Sequence, residues 1–395
     1  MAQVSQISGL RVALVHDFLL DLRGGERVFL QLCAMFPEAD IFTAVYDRAG
    51  TQGRFDGRNV VTSGLQRLRP TSRTFRALLP FYPAAIESLD LRGYDLVISS
   101  SSAWAHGVIP DEHAIHICYC HNTFRYAWTE REATLAARNA LVRPVLGQIL
   151  RSWRQWDYIA AQRVDAYVAN SATTQIRVDR YFSRQSRVVY PPVELERFSV
   201  GVPEDYFLVL SELVSHKRID LIVQACNTLR LPLVIAGDGP QARHLRQIAG
   251  PTVRLVGRVS DREAERLLRG SRALVVAATE EFGIAAVESQ ASGRPVIALR
   301  AGGLKETVIE GQTGIFFERP EADQLCAAFK RFEDQEFSSE TCVQHAKNFS
   351  PERFASGLNA VISDELNKRS DQSPSHDQLA SNRPRRRGLA LRVGS

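Results

Sequence analysis

The sequence predicts an α/β protein with two doubly wound domains, each built on a parallel sheet, that face each other across a cleft. Short apolar runs alternate with helical patterns in both halves of the 395-residue chain, as in parallel sheets covered by helices. The apolar runs show little polar alternation, so the strands are expected to be buried on both faces. A chain of this length also exceeds one ordinary core, which favours two domains.

The first half begins with the strand-like run RVALVHDFL, followed by the helical pattern GGERVFLQLCAMF. Further strand-like runs are ADIFTAVY, DLVISSS, HAIHICYCH and DAYVANS. A long helical segment is predicted from about Leu141 to Arg163, before the last of these runs. The run RVVYPPV ends this half at Pro191 and Pro192, which block helix and favour extended chain.

The second half repeats the design, with DYFLVLSEL, PLVIAGDGP, TVRLVG, RALVVAAT and RPVIALR as strand-like runs before helical patterns. The predicted domains therefore cover residues 1–192 and 193–350. An N-cap serine at Ser350, followed by proline, predicts a last helix over 351–368 that packs back toward the first domain. Residues 369–395 are polar and end in NRPRRRGLALRVGS, which indicates a disordered basic tail.

Composition narrows the class of protein. Apolar residues make up 45% of the chain and the net charge is only +5, so a soluble globular protein is expected. The six cysteines lack metal-ligand spacing, and Cys118 and Cys120 are interpreted as buried free thiols rather than metal ligands or a disulfide. No run approaches the ~20 apolar residues of a membrane span and no signal-peptide core is evident, so a cytoplasmic protein is expected.

Acidic residues and bare backbone follow two predicted strands of the second half. Glu280 comes after RALVVAAT, Glu288 lies in the next helical pattern, and Gly302 and Gly303 come after RPVIALR. Ligands of doubly wound folds bind beyond the carboxyl ends of the strands, where helix N-termini and glycine amides can hold an anion. The alternative is a capping carboxylate, a solvated helix residue and an ordinary turn.

Other residues at predicted strand ends suit an anionic ligand. Gly24 and Gly25 form a glycine turn after the first strand, without the G-x-G-x-x-G pattern that a dehydrogenase would need. Lys217 and Arg218 follow FLVLSEL and could neutralise a diphosphate, unless they belong to a solvated basic loop.

Three polar residues also lie at strand ends in the first half. His121 ends HICYC and could hydrogen-bond a bound sugar, although a histidine beside a core strand often has a purely structural role. His16 is interpreted as structural, and Asp17 fits either role.

These segments resemble the donor-site signature of retaining glycosyltransferases of family 4, which have the GT-B fold of two Rossmann-like domains facing across a cleft. Glu280 and Glu288 satisfy the E-x7-E motif of that family, with Phe282 and Gly283 between them. SHKRIDLIVQA, VIAGDGP, VDAYVANSATTQIRVDRYF, VHDFLLDLRGGERVF and YCHNTFRYAWTE also resemble family segments, over about residues 10–365. Together with YPPVELERF they are most similar to the bacterial mannosyltransferases that build polysaccharide repeat units on a polyprenyl carrier.

The resemblance implies roles in the second domain. Glu288 would bind the ribose hydroxyls of the donor nucleotide, and Glu280 would contact the transferred sugar. Backbone near Gly283 would hold that sugar's hydroxyls. Lys217, with amides near Gly303, would hold the diphosphate.

The resemblance also implies roles for residues of the first domain and one departure. His121 would lie at the donor sugar and the reacting centre, and Gly25 would approach the diphosphate or acceptor. Many family members have an arginine as second diphosphate cation where this chain has Glu212, a carboxylate that would repel phosphate by about 1–4 kcal/mol. Either Glu212 turns away or pairs with Arg218, or Arg218 supplies the missing cation.

The expected reaction needs no cofactor beyond a nucleotide-sugar co-substrate, for which GDP-mannose is expected. The chain lacks the D-x-D signature of metal-dependent transferases, so no obligatory metal is expected, because a lysine and backbone amides can stabilise the leaving diphosphate. Retention of configuration follows from the resemblance. Two alternatives stay open, namely a UDP-sugar donor and a catalytically idle scaffold in a polysaccharide assembly complex.

The first half is expected to bind a lipid-linked saccharide acceptor in exopolysaccharide or O-antigen assembly. Seven arginines against three acids lie between Arg54 and Arg92, and LVRPVLGQILRSWRQW mixes apolar, aromatic and basic residues. Both suit an anionic membrane surface and predict peripheral attachment at the inner face of the plasma membrane. The alternative is an ordinary helix packed on the sheet. No element for reading nucleic acid is evident.

Overall fold

The structure, a computed structural model, describes residues 9–72 and 74–372. It contains two sheets, one of seven and one of six strands, and every strand pair in both is parallel. The two doubly wound domains that the sequence predicts are therefore confirmed. The predicted tail over 369–395 lies outside the described residues, apart from 369–372, which belong to the last helix.

The first sheet has the order β3-β2-β1-β4-β5-β6-β7 and the second the order β10-β9-β8-β11-β12-β13. The strands are β1 Val12–His16, β2 Asp40–Thr43, β3 Val60–Thr62, β4 Leu96–Ser101, β5 Ile115–Cys120, β6 Ala166–Ala169, β7 Ser186–Val188, β8 Phe207–Leu210, β9 Leu233–Ala236, β10 Val253–Gly257, β11 Leu274–Val276, β12 Val296–Leu299 and β13 Gly314–Phe317.

Helices cover both faces of each sheet. They are α1 Gly24–Met35, α2 Tyr82–Glu87, α3 Arg131–Ala136, α4 Arg143–Ala161, α5 Ala172–Phe182, α6 Ile219–Leu229, α7 Ala242–Ile248, α8 Asp261–Gly270, α9 Ile284–Ala291, α10 Leu304–Thr307, α11 Ala322–Glu333, α12 Ser339–Ala346 and α13 Pro351–Gln372.

The strand order reverses between β1 and β4 in the first sheet and between β8 and β11 in the second, because each of these pairs is joined by a crossover. Such switch points open a crevice at the carboxyl ends of the strands, where ligands bind in doubly wound folds. The candidate residues at positions 16–25 and 121 lie at or just after the ends of β1 and β5. Those at 212–218, 280–288 and 302–303 come after β8, β11 and β12 of the second sheet.

The last helix, α13, packs against the first domain although it follows the second in sequence. Its Phe354, Leu358 and Val361 belong to the same buried cluster as the β1 and β5 side chains. Phe354 contacts the ring of Tyr119 on β5 edge-to-face, with centroids 5.4 Å apart. The chain thus crosses between the domains twice, which limits how far they can separate.

All six cysteines are free thiols, and every one except Cys326 is buried. Cys118 and Cys120 lie on β5, where burial raises the pKa of both thiols well above the ordinary value. The prediction that these two are buried free thiols is confirmed.

Candidate functional site

Lys217 and Glu280 form an ion pair at the switch point of the second sheet. The Lys217 ammonium donates to both carboxylate oxygens of Glu280, at 2.7 and 2.6 Å. The lysine ends a 3-10 turn after β8, and the glutamate follows β11, the neighbouring strand. The two residues that the family resemblance assigns to the diphosphate and to the transferred sugar are therefore in direct contact.

Glycines let the loops after β11 and β12 pack backbone against backbone. A β-carbon on Gly302 would lie 2.1 Å from the carbonyl oxygen of Glu280, and one on Gly303 would lie 2.4 Å from that of Glu281. The Gly303 amide donates to the Glu280 carbonyl at 2.8 Å. The sequence predicts that the amide near Gly303 points outward to bind a phosphate. In the structure the Gly303 N–H is instead hydrogen-bonded within the parallel bridge that joins the Glu280 and Gly302 loops.

Gly283 precedes α9 with φ of +96°, a backbone conformation that favours glycine. A β-carbon there would lie 2.8 Å from Cδ2 of Leu304, the first residue of α10. The glycine therefore sets the direction of the loop that carries Glu280.

Glu288 lies one turn into α9 and is half-buried. Burial raises the pKa of its carboxyl above the ordinary value, and the positive charges of Arg27 on α1 and of Arg197 offset only part of this increase. Such an environment leaves the carboxylate short of solvation and able to gain from hydroxyl donors, as a ribose would supply.

His121 belongs to a buried chain of polar groups at the switch point of the first sheet. Its Nε2 lies 2.8 Å from the Ser100 hydroxyl oxygen, which is 3.1 Å from Nδ1 of His16. Nε2 of His16 lies 3.8 Å from a carboxylate oxygen of Glu26. Burial, with a smaller effect of His16, lowers the pKa of His121 to about 3, so its ring is neutral near pH 7. Ser100 and Glu26 were not singled out from the sequence.

The glycine turn of the first domain lies beside this histidine. A β-carbon on Gly25 would be 3.8 Å from Nε2 of His121 and 3.9 Å from Cε1 of His16. One on Gly24 would be 3.1 Å from Cδ1 of Ile284, the first residue of α9. The N-termini of α1 and α9 therefore meet across the cleft, and both present their positive dipole ends to it.

Asp17 has a structural role. Its buried carboxylate accepts hydrogen bonds from the backbone amides of residues 102–105, at 2.6–3.1 Å. It thereby fixes the loop after β4, next to Ser100.

Glu212 and Arg218 have other partners than the sequence suggests. Glu212 pairs across the cleft with Arg23, at 3.3 Å, rather than with Arg218. Arg218 has φ of +50° before α6 and its guanidinium lies 3.4 Å from Asp220. Arg258, after β10, pairs with Asp21 of the first domain at 2.7 Å. The acid at position 212 is thus neutralised by a first-domain arginine.

A further polar cluster joins the domains beside the predicted site. Asn122 donates to a carboxylate oxygen of Glu281 at 2.8 Å, and Arg177 on α5 lies 3.4 Å from the same oxygen. Arg125 also lies 3.6 Å from it. The sequence gives no signal for this cluster except that Asn122 and Glu281 adjoin two predicted site residues.

Two arginines of the basic segment over residues 54–92, Arg58 and Arg92, have local partners. Arg58 donates to backbone carbonyls of residues 33, 36 and 39, which fixes the turn after α1. Arg92 pairs with Asp90, and Asp56 pairs with Arg48. Arg73 lies outside the described residues. Asp56 and Asp90 are already counted among the three acids, so these pairs leave the net charge of the segment unchanged.

The predicted helix over 141–163 corresponds to α4, with its apolar start exposed. Leu141 is 89% and Val145 64% exposed. A cavity of about 630 Å³ opens between α3 and α4, lined by Arg131, Arg143, Arg151 and Arg154, among others. Among the described helices, none has the length and apolar character that crossing a bilayer requires.

Within residues 9–72 and 74–372, no three side chains of the histidine, cysteine, aspartate or glutamate type come together as a metal site would require. The expectation that the reaction needs no metal stays a prediction.

The fold and the cleft assign the chain to the GT-B class, in which two doubly wound domains enclose the site. Residues 22–197 match the family model "Glycosyltransferase Family 4", and residues 193–349 match "Glycosyl transferases group 1". The two models together span residues 22–349, so the chain carries the two domains of a GT-B glycosyltransferase. Neither model singles out a mannosyltransferase subgroup.

Curated relatives are also glycosyltransferases. The chain is 26% identical over 196 residues to an uncharacterised glycosyltransferase of Methanocaldococcus jannaschii, covering 48% of this chain and 56% of that protein. It is 32% identical over 233 residues to a D-inositol 3-phosphate glycosyltransferase of Geodermatophilus obscurus, covering 50% and 52%. The chain thus spans about half the length of these relatives.

Solved structures share the fold at low identity. Anabaena HepE in complex with UDP-glucose superposes with a TM-score of 0.66 at 16% identity, covering 90% of this chain and all of that one. Sucrose-phosphate synthase from Thermosynechococcus elongatus gives 0.65 at 18% identity, with 91% and 98% covered. The lipopolysaccharide outer core galactosyltransferase WaaB gives 0.63 at 16% identity, with 90% and 100% covered.

Proposed function

We propose that the chain is a retaining glycosyltransferase that moves a hexose from a nucleotide sugar to an acceptor hydroxyl in the interdomain cleft. The observation that carries the proposal is the contact between Lys217 and Glu280 at 2.6 Å. If the lysine binds the diphosphate and the glutamate the sugar, the bond between these two parts of the donor lies where the side chains meet. Asn122 contacts Glu281, which brings His121 of the first domain toward the same place.

The proposed reaction breaks the bond between the anomeric carbon and the leaving diphosphate oxygen, and forms one from that carbon to the acceptor oxygen. The acceptor proton passes to the leaving phosphate oxygen, so no other reactant is needed. Lys217 stabilises the charge that develops on the diphosphate. Because burial holds the pKa of His121 at about 3, its neutral ring acts as a hydrogen-bonding partner rather than an acid. Retention rests on the family resemblance.

The donor is proposed to be GDP-mannose, on the resemblance of segments from both domains to bacterial mannosyltransferases. A UDP-hexose is the second candidate, because the structurally similar HepE has been solved with UDP-glucose. Both share the diphosphate and ribose that Lys217 and Glu288 are proposed to bind.

The acceptor is proposed to be a lipid-linked saccharide at the inner face of the plasma membrane. Support comes from the exposed Leu141 and Val145 beside the arginine-lined cavity. An apolar edge next to several arginines suits a bilayer with anionic headgroups. We therefore propose attachment through α3 and α4.

A thermal-shift panel of GDP-mannose, other GDP-sugars, UDP-hexoses and free nucleotides tests the donor, because a ligand of the folded state raises its apparent stability. A shift with GDP-mannose, followed by acceptor-dependent release of GDP, supports the proposal. Release of UDP alone would select the second candidate. No shift and no release with any nucleotide sugar would indicate an idle scaffold. Glu288→Ala is the matched control and should lose the shift.

A further inference from the structure

Two carboxylates of the second domain, Glu281 and Glu306, contact the same first-domain helix, α5. Glu281 lies 3.4 Å from Arg177 within α5, and a carboxylate oxygen of Glu306 accepts from the backbone amide of Ala172, the first residue of α5, at 2.8 Å. Glu281 follows Glu280 in the loop after β11, and Glu306 lies in the short helix α10, directly after the β12 loop that carries Gly303. Both loops of the predicted donor site are therefore tied to one element of the other domain.

The Glu306 contact has the chemistry of a helix cap supplied from outside the helix. Ser171 already caps α5 by accepting from the amide of Thr174 at 3.1 Å. The amide of Ala172 has no carbonyl partner within α5, because the first turn of a helix leaves its N–H groups unpaired. A carboxylate there is also favoured by the helix dipole. This contact joins α10 of the second domain to α5 of the first.

Glu281 and its hydrogen-bond partner Asn122 are the chain neighbours of two predicted site residues, Glu280 and His121. Asn122 bridges Glu281 and Arg177, donating to Glu281 at 2.8 Å and accepting from Arg177 at 2.7 Å. Burial raises the pKa of Glu281, but Arg125 and Arg177 outweigh burial and leave that pKa below its ordinary value. A charged, multiply hydrogen-bonded carboxylate in a half-buried place is costly to release.

We propose that Glu281 and Glu306 are positioning residues, which dock the two donor loops onto α5 and thereby set the distance between His121 and Glu280 during transfer. Neither residue is assigned a contact with the donor. The proposal rests on the proposed function, since it concerns the geometry of that same site. Displacements of about 1 Å in a reacting geometry can lower a rate by ~100-fold.

The test compares Glu281→Ala, Glu306→Gln and their double variant with Glu130→Gln. Glu130 is the matched control because it also pairs with Arg125, at 3.5 Å, but within the first domain. The docking variants should lower kcat by about 10- to 100-fold, with KM for the donor changed less than about threefold. Glu130→Gln should leave both constants near those of the unaltered protein.

A distance measurement separates positioning from a loss of folding and from failure of the proposed function. Spin labels are placed on cysteines introduced at the exposed His113 and Glu336, with the half-exposed Cys326 replaced by serine. The interdomain distances should lengthen and broaden in the double variant but not in Glu130→Gln. Unchanged distances, or a kcat unaffected by the double variant, would overturn the inference. If the unaltered protein turns over no nucleotide sugar, the proposed function fails, whereas the distances still decide the docking.

Discussion

In the proposed function, Glu288 would favour donor binding at the expense of stability. Because burial raises the pKa of its carboxyl in the folded state, the folded protein gains relative stability at pH values below the ordinary pKa of glutamate and loses it as pH rises through the raised pKa. Glu288→Gln removes the charge with little change of shape. It should therefore melt at the same or a higher temperature than the unaltered protein at pH 7, and the difference should vanish near pH 4.

The same substitution should weaken donor binding by about 10- to 100-fold, since a hydrogen bond to a charged group contributes roughly 1.5–3 kcal/mol. Melting curves at pH 4 and 7, with and without nucleotide, measure both effects. A variant that melts lower at pH 7 but binds donor normally would show that Glu288 is a structural residue.

Two buried histidines should make the first domain sensitive to acid. Burial lowers the pKa of both His116 and His121 to about 3. A lowered histidine pKa means that the unfolded chain takes up protons first, so stability is full above about pH 6.5 and is lost as pH falls toward 3. Each histidine should contribute a slope of about 1.4 kcal/mol per pH unit in this window.

Unfolding by urea between pH 4 and 8 measures that slope. His116→Asn and His121→Asn should each reduce it, whereas His113→Asn, at an exposed position of the same domain, should leave it unchanged. Equal slopes in all variants would mean that other groups set the acid sensitivity.

At the scale of elements, the glycines at the starts of α1 and α9 should respond oppositely to alanine. Gly25→Ala meets only ordinary contacts, the nearest at 3.8 Å, and alanine favours a helix over glycine by roughly 0.8–1 kcal/mol. It should keep or raise the melting temperature, yet lower transfer at least about tenfold, because its methyl group occupies the space beside His121.

Gly283→Ala is the contrasting variant. Its backbone has φ of +96° and the methyl group would lie 2.8 Å from a Leu304 carbon, so a loss of more than about 1 kcal/mol of stability is expected. The melting temperature and the transfer activity of each variant are measured. A loss of activity without a loss of melting temperature indicates that the added methyl group blocks the ligand, whereas a loss of both indicates a folding defect. A stable, active Gly25→Ala variant would remove α1 from the site.

The elements also show what the sequence alone could predict. Unbroken apolar runs and helical periods predicted both parallel sheets, their ligand-binding edges and α9, and the spacing of Glu280 and Glu288 carried the family resemblance. The short β3 and α2 lack a readable period and were missed, and β13, α11 and α12 were not predicted either. The partners of Glu212 and Glu281 could not be predicted either, because they come from the opposite domain and depend on how the cleft closes. Residue types at strand ends do not carry that information.

For the whole molecule, closure of the cleft should depend on salt. Helix α1 and the loop before it reach the second domain through Arg23 with Glu212 at 3.3 Å and Arg27 with Asp261 at 2.6 Å. Asp21 adds a contact to Arg258 at 2.7 Å. Exposed pairs contribute about 0.2–1 kcal/mol each and are screened as the Debye length shrinks from ~10 Å at 0.1 M to ~3 Å at 1 M salt.

The radius of gyration from small-angle scattering should therefore rise between 0.1 and 1 M salt. Arg27→Ala should already raise it at 0.1 M and reduce its further increase with salt. Arg246→Ala, on α7 of the second domain, is the control. A radius independent of salt in the unaltered protein would mean that apolar contacts such as Ile284 with the core of the first domain hold the cleft closed.

The proposed membrane attachment also belongs to this scale, since it would set which way the cleft faces the lipid. Burying an exposed Leu141 or Val145 in a bilayer interface should contribute about 1.5–3 kcal/mol each, and each arginine near anionic lipid about 1 kcal/mol. Leu141→Asp with Val145→Asp should therefore weaken binding to phosphatidylglycerol vesicles by more than about 100-fold. Val202→Asp changes a residue that is 87% exposed on the second domain and should have little effect. Equal vesicle binding by both variants would contradict membrane attachment through α3 and α4, and would not affect the proposed donor site.

The position of α3 links this attachment to the proposed reaction. Because α3 begins ten residues after His121, attachment through α3 and α4 would keep the cleft close to the membrane surface that supplies a lipid-linked acceptor.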